Sequence, residues 1–367
     1  MPSLRKNDRD YMARALNLAR RGIYTTTPNP MVGAVIVKNN RIIGEGYHVR
    51  AGEAHAEVRA LDRAGRKARG ATLYCSLEPC CTHGRTPPCT EAIVAGGIRK
   101  VVVASEDPNP DIRGRGLDLL RRAGLEVESG LMEREARFLN RRFFYVMTRG
   151  RPYVYLKWAA TLDGYLAEPE GKAKWISGEK ARKAGKRIRH LVDAIIVGVQ
   201  TVLHDDPVLD RLPFAGPSVP LKRIIMDPDL RVPPDAALFR QGRGPVILIH
   251  ASTSPRQKAL QDAGARLMRL PLQEGRFSMD DLMQTFRTLG ITSILVEGGG
   301  QTLGTFLSGG EVQEGFTFVA PLILGQGRPL AGPKQVPLEE SKRYTLLNQR
   351  RIGNDTMIHW ISPCLRD

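Results

Sequence analysis

The sequence predicts two α/β domains in tandem, and three observations carry that expectation. The chain has 367 residues, about twice the length of a common single domain. Its apolar runs are short and alternate with segments of helical periodicity, in two successive sets. Between the sets, "TRGRPY" at 148–153 interrupts the pattern, which places the expected domains at 1–148 and 149–367. At 42% hydrophobic and 25% charged, the chain has material for two cores. The halves do not resemble each other, and no repeat of 20–50 residues is present.

In the first set, "DRDYMARALNLARRG" reads as a helix with Asp8 as N-cap. Met12, Ala15, Leu16 and Ala19 form its apolar face, and Gly22 is its stop. "MVGAVIVK" and "RIIGEGYH" flank the turn Asn39-Asn40 and read as a hairpin. "HAEVRALDRAG" is a helix that ends near Gly65. The strand "ATLYCSL" is followed by a helix in "PPCTEAIVAGG", with Pro at its front and Gly at its end. "RKVVVAS" is a strand, and "GLDLLRRAG" with "LEVES" adds a helix and a strand. A hairpin followed by alternating β and α elements implies a layered α/β domain with a partly parallel sheet. "EREARFLNRRFFYVM" reads as one long helix before the boundary.

The second set opens with the strand "PYVYLKWAATLDG" and the basic helix "GEKARKAGKRIRHLVD". Strand-like runs follow: "AIIVGV", "RIIMD", "PVILIH" and "SILVEGG". The late strands "GFTFVAPLILG" and "DTMIHWI" finish the chain.

Composition narrows the function classes. The N-terminus "MPSLRKNDRD" lacks the apolar core of a secretory signal. No apolar run is long enough to span a bilayer. The cysteine count is odd, at five in 367 residues, which fits a disulfide scaffold poorly. The expected compartment is the cytoplasm, where clustered Cys and His point to metal or catalysis. The net charge of +17 invites a nucleic-acid partner. Because the basic residues are spread along the whole chain, a basic surface with sites for phosphorylated small molecules is the preferred explanation.

Four of the five cysteines lie between Cys75 and Cys89; only Cys364 lies elsewhere. Upstream stands "HAE", His55 to Glu57. His-x-Glu followed by Pro-Cys is the signature of zinc deaminases of nucleobases. The chemistry explains the residue types. Zinc takes imidazole and thiolate ligands and leaves a position for water, whose pKa falls from about 15.7 to about 7. A glutamate must then collect the water proton and deliver it to the ring and the departing ammonia. Glu57 fits that role without ligating metal. The signature expects a second cysteine three residues after Cys80, where His83 stands instead. Cys81 adjoins Cys80, so both thiols would strain to reach one tetrahedral ion. Cys89 opens a helix, which favours a thiolate. The preferred ligands are His55, Cys80 and Cys89. The trio His55, Cys80 and His83, and a closed structural zinc with three thiols, remain alternatives.

"TTPNPMVGAVIV", "EGYHVRAGEAHAEVRAL", "LYCSLEPCCTHGRTPPCTEAI" and "EDPNPDIRGRGLDLLRRAGLEVESG" closely resemble the deaminase domain of riboflavin biosynthesis. "KWAATLDG", "WISGEKARK", "VGVQTVLHDDPVL" and "ILVEGGGQTLGTFL" are similar to motifs of the reductase usually fused to it. The resemblance runs from about residue 8 to the end. It implies a cytidine-deaminase-like three-layer α/β/α domain followed by a dihydrofolate-reductase-like α/β domain. It also implies a long loop between the two cysteine ligands, which favours Cys89 over His83. Asn29 matches a pyrimidine contact, and His83 and Arg85 match a loop that holds substrate and its ribose-phosphate.

In the second half, "VEGGGQTLG" reads as a phosphate cradle at a helix start. It fails as a Rossmann fingerprint, since Leu303 stands at the third glycine position. The resemblance implies NADPH as cofactor. Gly299, Gly300, Gln301, Thr302, Leu303, Gly304 and Thr305 would wrap it, with Ala159, Trp175, Thr201, Asp205 and Asp227 at further cofactor positions. Lys157, Arg189, Leu209, Arg211 and Glu297 match substrate positions. The chain departs from the family at three places. Arg211 follows Leu209 by two residues instead of three, Ala173 replaces a common Ser, and Pro228 follows Asp227 where a Ser is usual.

The implied activity is bifunctional: deamination of 2,5-diamino-6-(5-phosphoribosylamino)pyrimidin-4-one, then reduction of its product's ribose to ribityl. One domain's product is the other's substrate. A nucleic-acid (tRNA) base deaminase is the alternative, but it leaves the second domain unexplained. A zinc-stabilised binding module without activity is a third reading. The expected partners are a small phosphoribosylated pyrimidine and further copies of the chain in a homo-oligomer. Neither nucleic acid nor membrane is expected.

Overall fold

The structure, a computed structural model, describes residues 6–84, 87–169, 175–214, 219–330 and 338–363. Arg85, Ala173 and Cys364 lie outside the described residues. The chain divides at Gly150 and Arg151 into two units, each with its own sheet.

In the first unit, β1 (Gly33–Lys38) and β2 (Arg41–Tyr47) form the expected hairpin. Asn39 and Asn40 take φ of 50° and 58°, the left-handed pair that a two-residue turn demands. β3 (Thr72–Cys75) joins β1 antiparallel. β4 (Lys100–Val103) and β5 (Glu126–Ser129) add parallel strands, giving the order β2-β1-β3-β4-β5.

The helices are α1 (Lys6–Ala19), α2 (Ala56–Ala64), α3 (Cys89–Ala95), α4 (Arg115–Arg122), α5 (Glu133–Leu139) and α6 (Arg141–Arg149). Strand alternation sorts them into layers. Ala34, Ile36, Leu73, Cys75, Val101 and Val103 face α2, α3 and α4. Val35, Val37, Tyr74 and Val102 face Met12, Ala15, Leu16 and Leu18 of α1 and Ala136 of α5. These are the three α/β/α layers that the resemblance implied. Each fully buried Leu, Ile or Val contributes about 1.5–3 kcal/mol.

Two sequence expectations are corrected. Helix α1 starts at Lys6, so Asp8 is no N-cap; its Oδ1 accepts the Tyr74 hydroxyl at 2.6 Å. The single helix expected over 133–147 is two, broken at Asn140. The buried amide of Asn140 clasps the Met31 backbone, accepting from its N–H at 2.8 Å and donating to its carbonyl at 2.9 Å. A tertiary demand for one amide overrides the local helical pattern there.

The second unit contains β6 (Tyr153–Ala160), β7 (Tyr165–Ala167), α7 (Glu179–Ile188), β8 (Ala194–Gly198), α8 (Val199–Asp205), β9 (Lys222–Met226), α9 (Ala237–Arg240) and β10 (Val246–His250). It continues with α10 (Gln257–Asp262), β11 (Ala265–Arg269), β12 (Leu272–Gln273), β13 (Arg276–Phe277), α11 (Met279–Thr288), β14 (Ser293–Glu297) and α12 (Gly300–Ser308). β15 (Glu314–Val319), β16 (Arg328–Pro329), β17 (Thr345–Ile352) and β18 (Asp355–Ile361) complete it. The main sheet runs β11-β10-β9-β8-β14-β6-β15-β18-β17. It is parallel from β11 to β15 and antiparallel at β18 and β17. β12–β13 and β7–β16 are small separate ribbons. Val154, Leu156, Ile196, Ile224, Ile249, Ile294 and Val296 form a core against Leu282 and Phe286 of α11 and Leu303 and Phe306 of α12. β11 and β17 lay outside the sequence reading, since neither "ARLMR" nor "TLLNQRRI" has a continuous apolar run.

Candidate active sites

The first candidate site lies where α2 and α3 begin. α2 lies directly against β2 because glycines face it. A Cβ on Gly46 would stand 2.1 Å from the Ala56 carbonyl oxygen, and one on Gly44 would stand 2.2 Å from that of Ala60. This seam fixes the helix start, and with it His55 as N-cap and Glu57 in the first turn. Cys80 lies in the loop after β3, and Cys89 is the first residue of α3.

The donor atoms of His55, Cys80 and Cys89 all lie within 4.8 Å of one another. His55 Nδ1 is 3.2 Å from Cys89 Sγ and 3.4 Å from Cys80 Sγ. Zn–N and Zn–S bonds of about 2.0–2.3 Å in a tetrahedron imply donor separations of about 3.5–3.8 Å. The three residues therefore fit zinc with an opening of a few tenths of an ångström. Among the described residues they are the one such group. His83 stays outside it, exposed, with Nε2 3.4 Å from Glu91. Cys81 is also outside, so neither alternative ligand set is brought together among the described residues.

Electrostatics suit the cluster. Hydrogen bonds from Cys89 and His55 lower the Cys80 thiol to about 4, against the opposing effect of burial. The Cys89 backbone N–H also donates to Cys80 Sγ at 3.3 Å. Glu57 is buried, and burial pushes its carboxyl up to about 7. Cys75, itself buried, hydrogen-bonds Glu57, while Glu57 Oε2 has no partner. A cavity of about 430 Å³ opens over the cluster, within the range of small-molecule sites. Asn29, Gly52, His55, Cys80, Thr82, Gly84 and Ile112 line it.

Sequence reasoning missed His48. It is buried, packs edge-on against His55 at 5.1 Å between ring centroids, and has Nε2 3.1 Å from Asn29 Nδ2. Burial, then the neighbouring His55, push its imidazole down to about 4 and keep it neutral. The signal was a lone histidine ending the apolar hairpin.

The second candidate site lies at the carboxyl ends of adjacent parallel strands, where open α/β sheets bind ligands. β8 leads into α8 and β14 into α12, so two helix N-termini stand side by side. A Cβ on Gly198 would stand 2.5 Å from Thr302 Oγ1, and one on Gly298, at φ +138°, would stand 3.1 Å from Thr201 Oγ1. At Gly299 the same position is open space. Bare backbone N–H groups over an open cradle fit the phosphates of a dinucleotide.

Lys157, Arg189 and Glu297 form one ion group. Arg189 donates to both Glu297 oxygens, at 2.9 and 3.0 Å, and Lys157 Nζ lies 3.8 Å from Oε2. Burial pushes the Glu297 carboxyl up, but Arg189 and Lys157 outweigh it and hold it below the ordinary range. Arg189 also donates to the Asp210 carbonyl at 2.7 Å. Leu209 is buried at φ 59°. Arg211 spends its guanidinium on the carbonyls of Arg189, Val192 and Val219.

Other expected residues stand apart from that group. Leu303 packs in the core, which leaves only its backbone for a ligand, and Gly304 is buried. Gln301 is exposed, and its carbonyl accepts the Thr305 hydroxyl. Trp175 is exposed, with the Arg182 guanidinium 4.9 Å from its ring centroid. Asp227 is fully buried; its Oδ2 accepts the Val232 N–H at 2.8 Å and its Oδ1 has no partner. Ala159 is half-buried on β6, and Asp205 ends α8. Among the described residues no helix is long and apolar enough to cross a membrane.

Comparison with known proteins finds matches to both units. Residues 5–105 match the cytidine and deoxycytidylate deaminase zinc-binding region, and residues 152–358 match the RibD C-terminal domain. The riboflavin biosynthesis protein RibD of Aquifex aeolicus (strain VF5) is 42% identical, over 97% of this chain and 98% of its own. Acinetobacter baumannii RibD superposes with a TM-score of 0.88 at 39% identity, covering 97% of this chain and 99% of that one. A Thermotoga maritima diaminohydroxyphosphoribosylaminopyrimidine deaminase/5-amino-6-(5-phosphoribosylamino)uracil reductase gives 0.81 at 32% identity, with the same coverage.

Proposed function

This chain belongs to the RibD family of riboflavin-biosynthesis proteins, and from that premise we propose a residue-level reading of a zinc-dependent deaminase joined to an NADPH-dependent reductase. The first unit deaminates 2,5-diamino-6-(5-phosphoribosylamino)pyrimidin-4-one. The second reduces the ribose of 5-amino-6-(5-phosphoribosylamino)uracil to the ribityl form. The observation that carries this is a zinc-fitting donor set beside a buried carboxylate with one unpaired oxygen, under a ligand-sized cavity.

His55, Cys80 and Cys89 would hold zinc, which supplies a Lewis acid that acidifies water at the ring carbon. Glu57 takes the proton at Oε2 and returns it to the pyrimidine and the departing amine. A carboxyl near 7 gives and takes protons readily at neutral pH. Neutral His48 orients the Asn29 amide, which contacts the pyrimidine. His83 and Arg85 serve the ribose-phosphate.

In the second unit NADPH, when bound, supplies the hydride. Lys157, Arg189 and Glu297 hold the substrate, with Leu209 and Arg211 shaping that wall. Gly299 to Thr305, with Ala159, Trp175, Thr201, Asp205 and Asp227, hold the cofactor. A base deaminase acting on RNA would leave this unit unexplained. The cytoplasm is the proposed compartment, since the free thiols of the cluster need a reducing medium. A homo-oligomer is proposed because exposed Leu162, Leu322 and Ile323 lie on two loops tied by a 2.8 Å backbone bond. Light scattering measures that state directly.

The test of function is incubation of the zinc-loaded protein with the diaminopyrimidine ribotide, with and without NADPH. Ammonia is expected in both cases, and NADPH oxidation only after deamination. Absence of ammonia release, or NADPH oxidation that precedes it, would overturn the reading.

A further inference from the structure

Glu78 lies two residues before Cys80, and its side chain does not reach the metal cluster or the cavity wall. It is only 3% exposed. Its carboxylate collects backbone N–H groups from the loop after β4 and from the start of α4. Oε2 accepts from Asp107 at 3.1 Å and Gly114 at 3.0 Å. Oε1 accepts from Gly116 at 2.9 Å and Leu117 at 3.4 Å. The Glu78 backbone N–H donates to the Ser105 carbonyl at 2.9 Å. One residue thus joins the loop after β3, which carries Cys80, Thr82 and Gly84, to the loop after β4, which carries Ile112. Both loops contribute to the cavity lining.

All four side-chain contacts are donors, two to each oxygen. An ionised carboxylate accepts at both oxygens, whereas an amide must turn an NH₂ toward one pair of N–H groups. The joint therefore needs a carboxylate, and the start of α4 adds its dipole to the same preference. The two segments also touch directly: a Cβ on Gly116 would stand 2.3 Å from the Pro79 carbonyl oxygen.

We propose that Glu78 is a positioning residue for the deaminase site, setting the distance between the metal-ligand loop and the Ile112 loop and so the fit of the pyrimidine nucleotide. This rests on the reading of the first unit as the deaminase. It acts on substrate fit and leaves the proton-transfer groups alone, so its loss belongs in KM.

The test is Glu78→Gln in the full chain loaded with zinc. KM for the diaminopyrimidine ribotide is expected to rise about tenfold or more, with kcat within about threefold. Zinc content and NADPH oxidation on pre-deaminated substrate should stay at wild-type level, which reports that both units are folded. Should Glu78→Gln not fold, Gly116→Ala separates the same loops while keeping the carboxylate, and the same rise in KM alone is expected. An unchanged KM in the folded variant, or loss of zinc and kcat at constant KM, would refute the positioning role. Wild-type protein that releases no ammonia would instead refute the deaminase reading on which it rests.

Discussion

Cys81 and Cys89 sit eight residues apart, yet only Cys89 shares donor distance with His55 and Cys80. Cys81→Ser is expected to retain about one zinc per chain, and Cys89→Ser to lose metal and deamination together; metal analysis of the two proteins checks this. Glu57→Gln keeps size and removes the proton carrier, so ammonia release should fall by about 10²–10⁴-fold with zinc retained. Glu297 ionises below the ordinary carboxylate range, so its stabilising contribution is full above that range and is lost as pH falls through the lowered folded value. Glu297→Gln should flatten that acid limb. It should also cost about 3–5 kcal/mol near neutral pH, because Arg189 keeps its burial without its hydrogen-bonded carboxylate partner and retains only the charge of Asp210. Denaturant unfolding across pH reads both effects. At this scale the motif residues were legible because their chemistry restricts residue type and spacing. His48 and Glu78 were not, since a lone histidine and a Glu-Pro pair acquire meaning only from partners distant in sequence.

Apolar periodicity revealed most elements, and it failed where one polar side chain or a polar edge decided the outcome. The hairpin turn was readable in two asparagines, while the break between α5 and α6 was hidden in Asn140, whose partner Met31 lies far upstream. The seam of α2 on β2 shows how elements carry the chemistry. Gly46→Ala would drive a methyl against the Ala56 carbonyl and lift the helix that bears His55 and Glu57. A loss of about 1–3 kcal/mol is expected, together with weakened zinc retention. Thermal unfolding and a chelator competition measure the two. If stability falls and zinc affinity does not, the seam holds the helix without aiming its first turn.

Across the whole molecule, the division at Gly150 and Arg151 gives each unit its own sheet, and the two sets of site residues do not interleave. The sequence pointed to two sets through its alternation of elements, and the structure holds two main sheets. The sequence hid the strand order, because apolar runs do not say which neighbour each will take. That order has a consequence for how the chain acquires its form. β5, the last strand of the first sheet, ends at Ser129, so this sheet can close while much of the polypeptide is still unmade. The second sheet cannot do likewise. Its first strand, β6, becomes its interior, with Tyr153 paired to Ser293 and Tyr155 to Glu314. The centre must wait for residues that emerge last, and closing so long a loop slows assembly. On dilution from denaturant with zinc present, ammonia release should therefore return before NADPH oxidation measured on pre-deaminated substrate, and the gap should widen under conditions that favour aggregation of half-formed sheets.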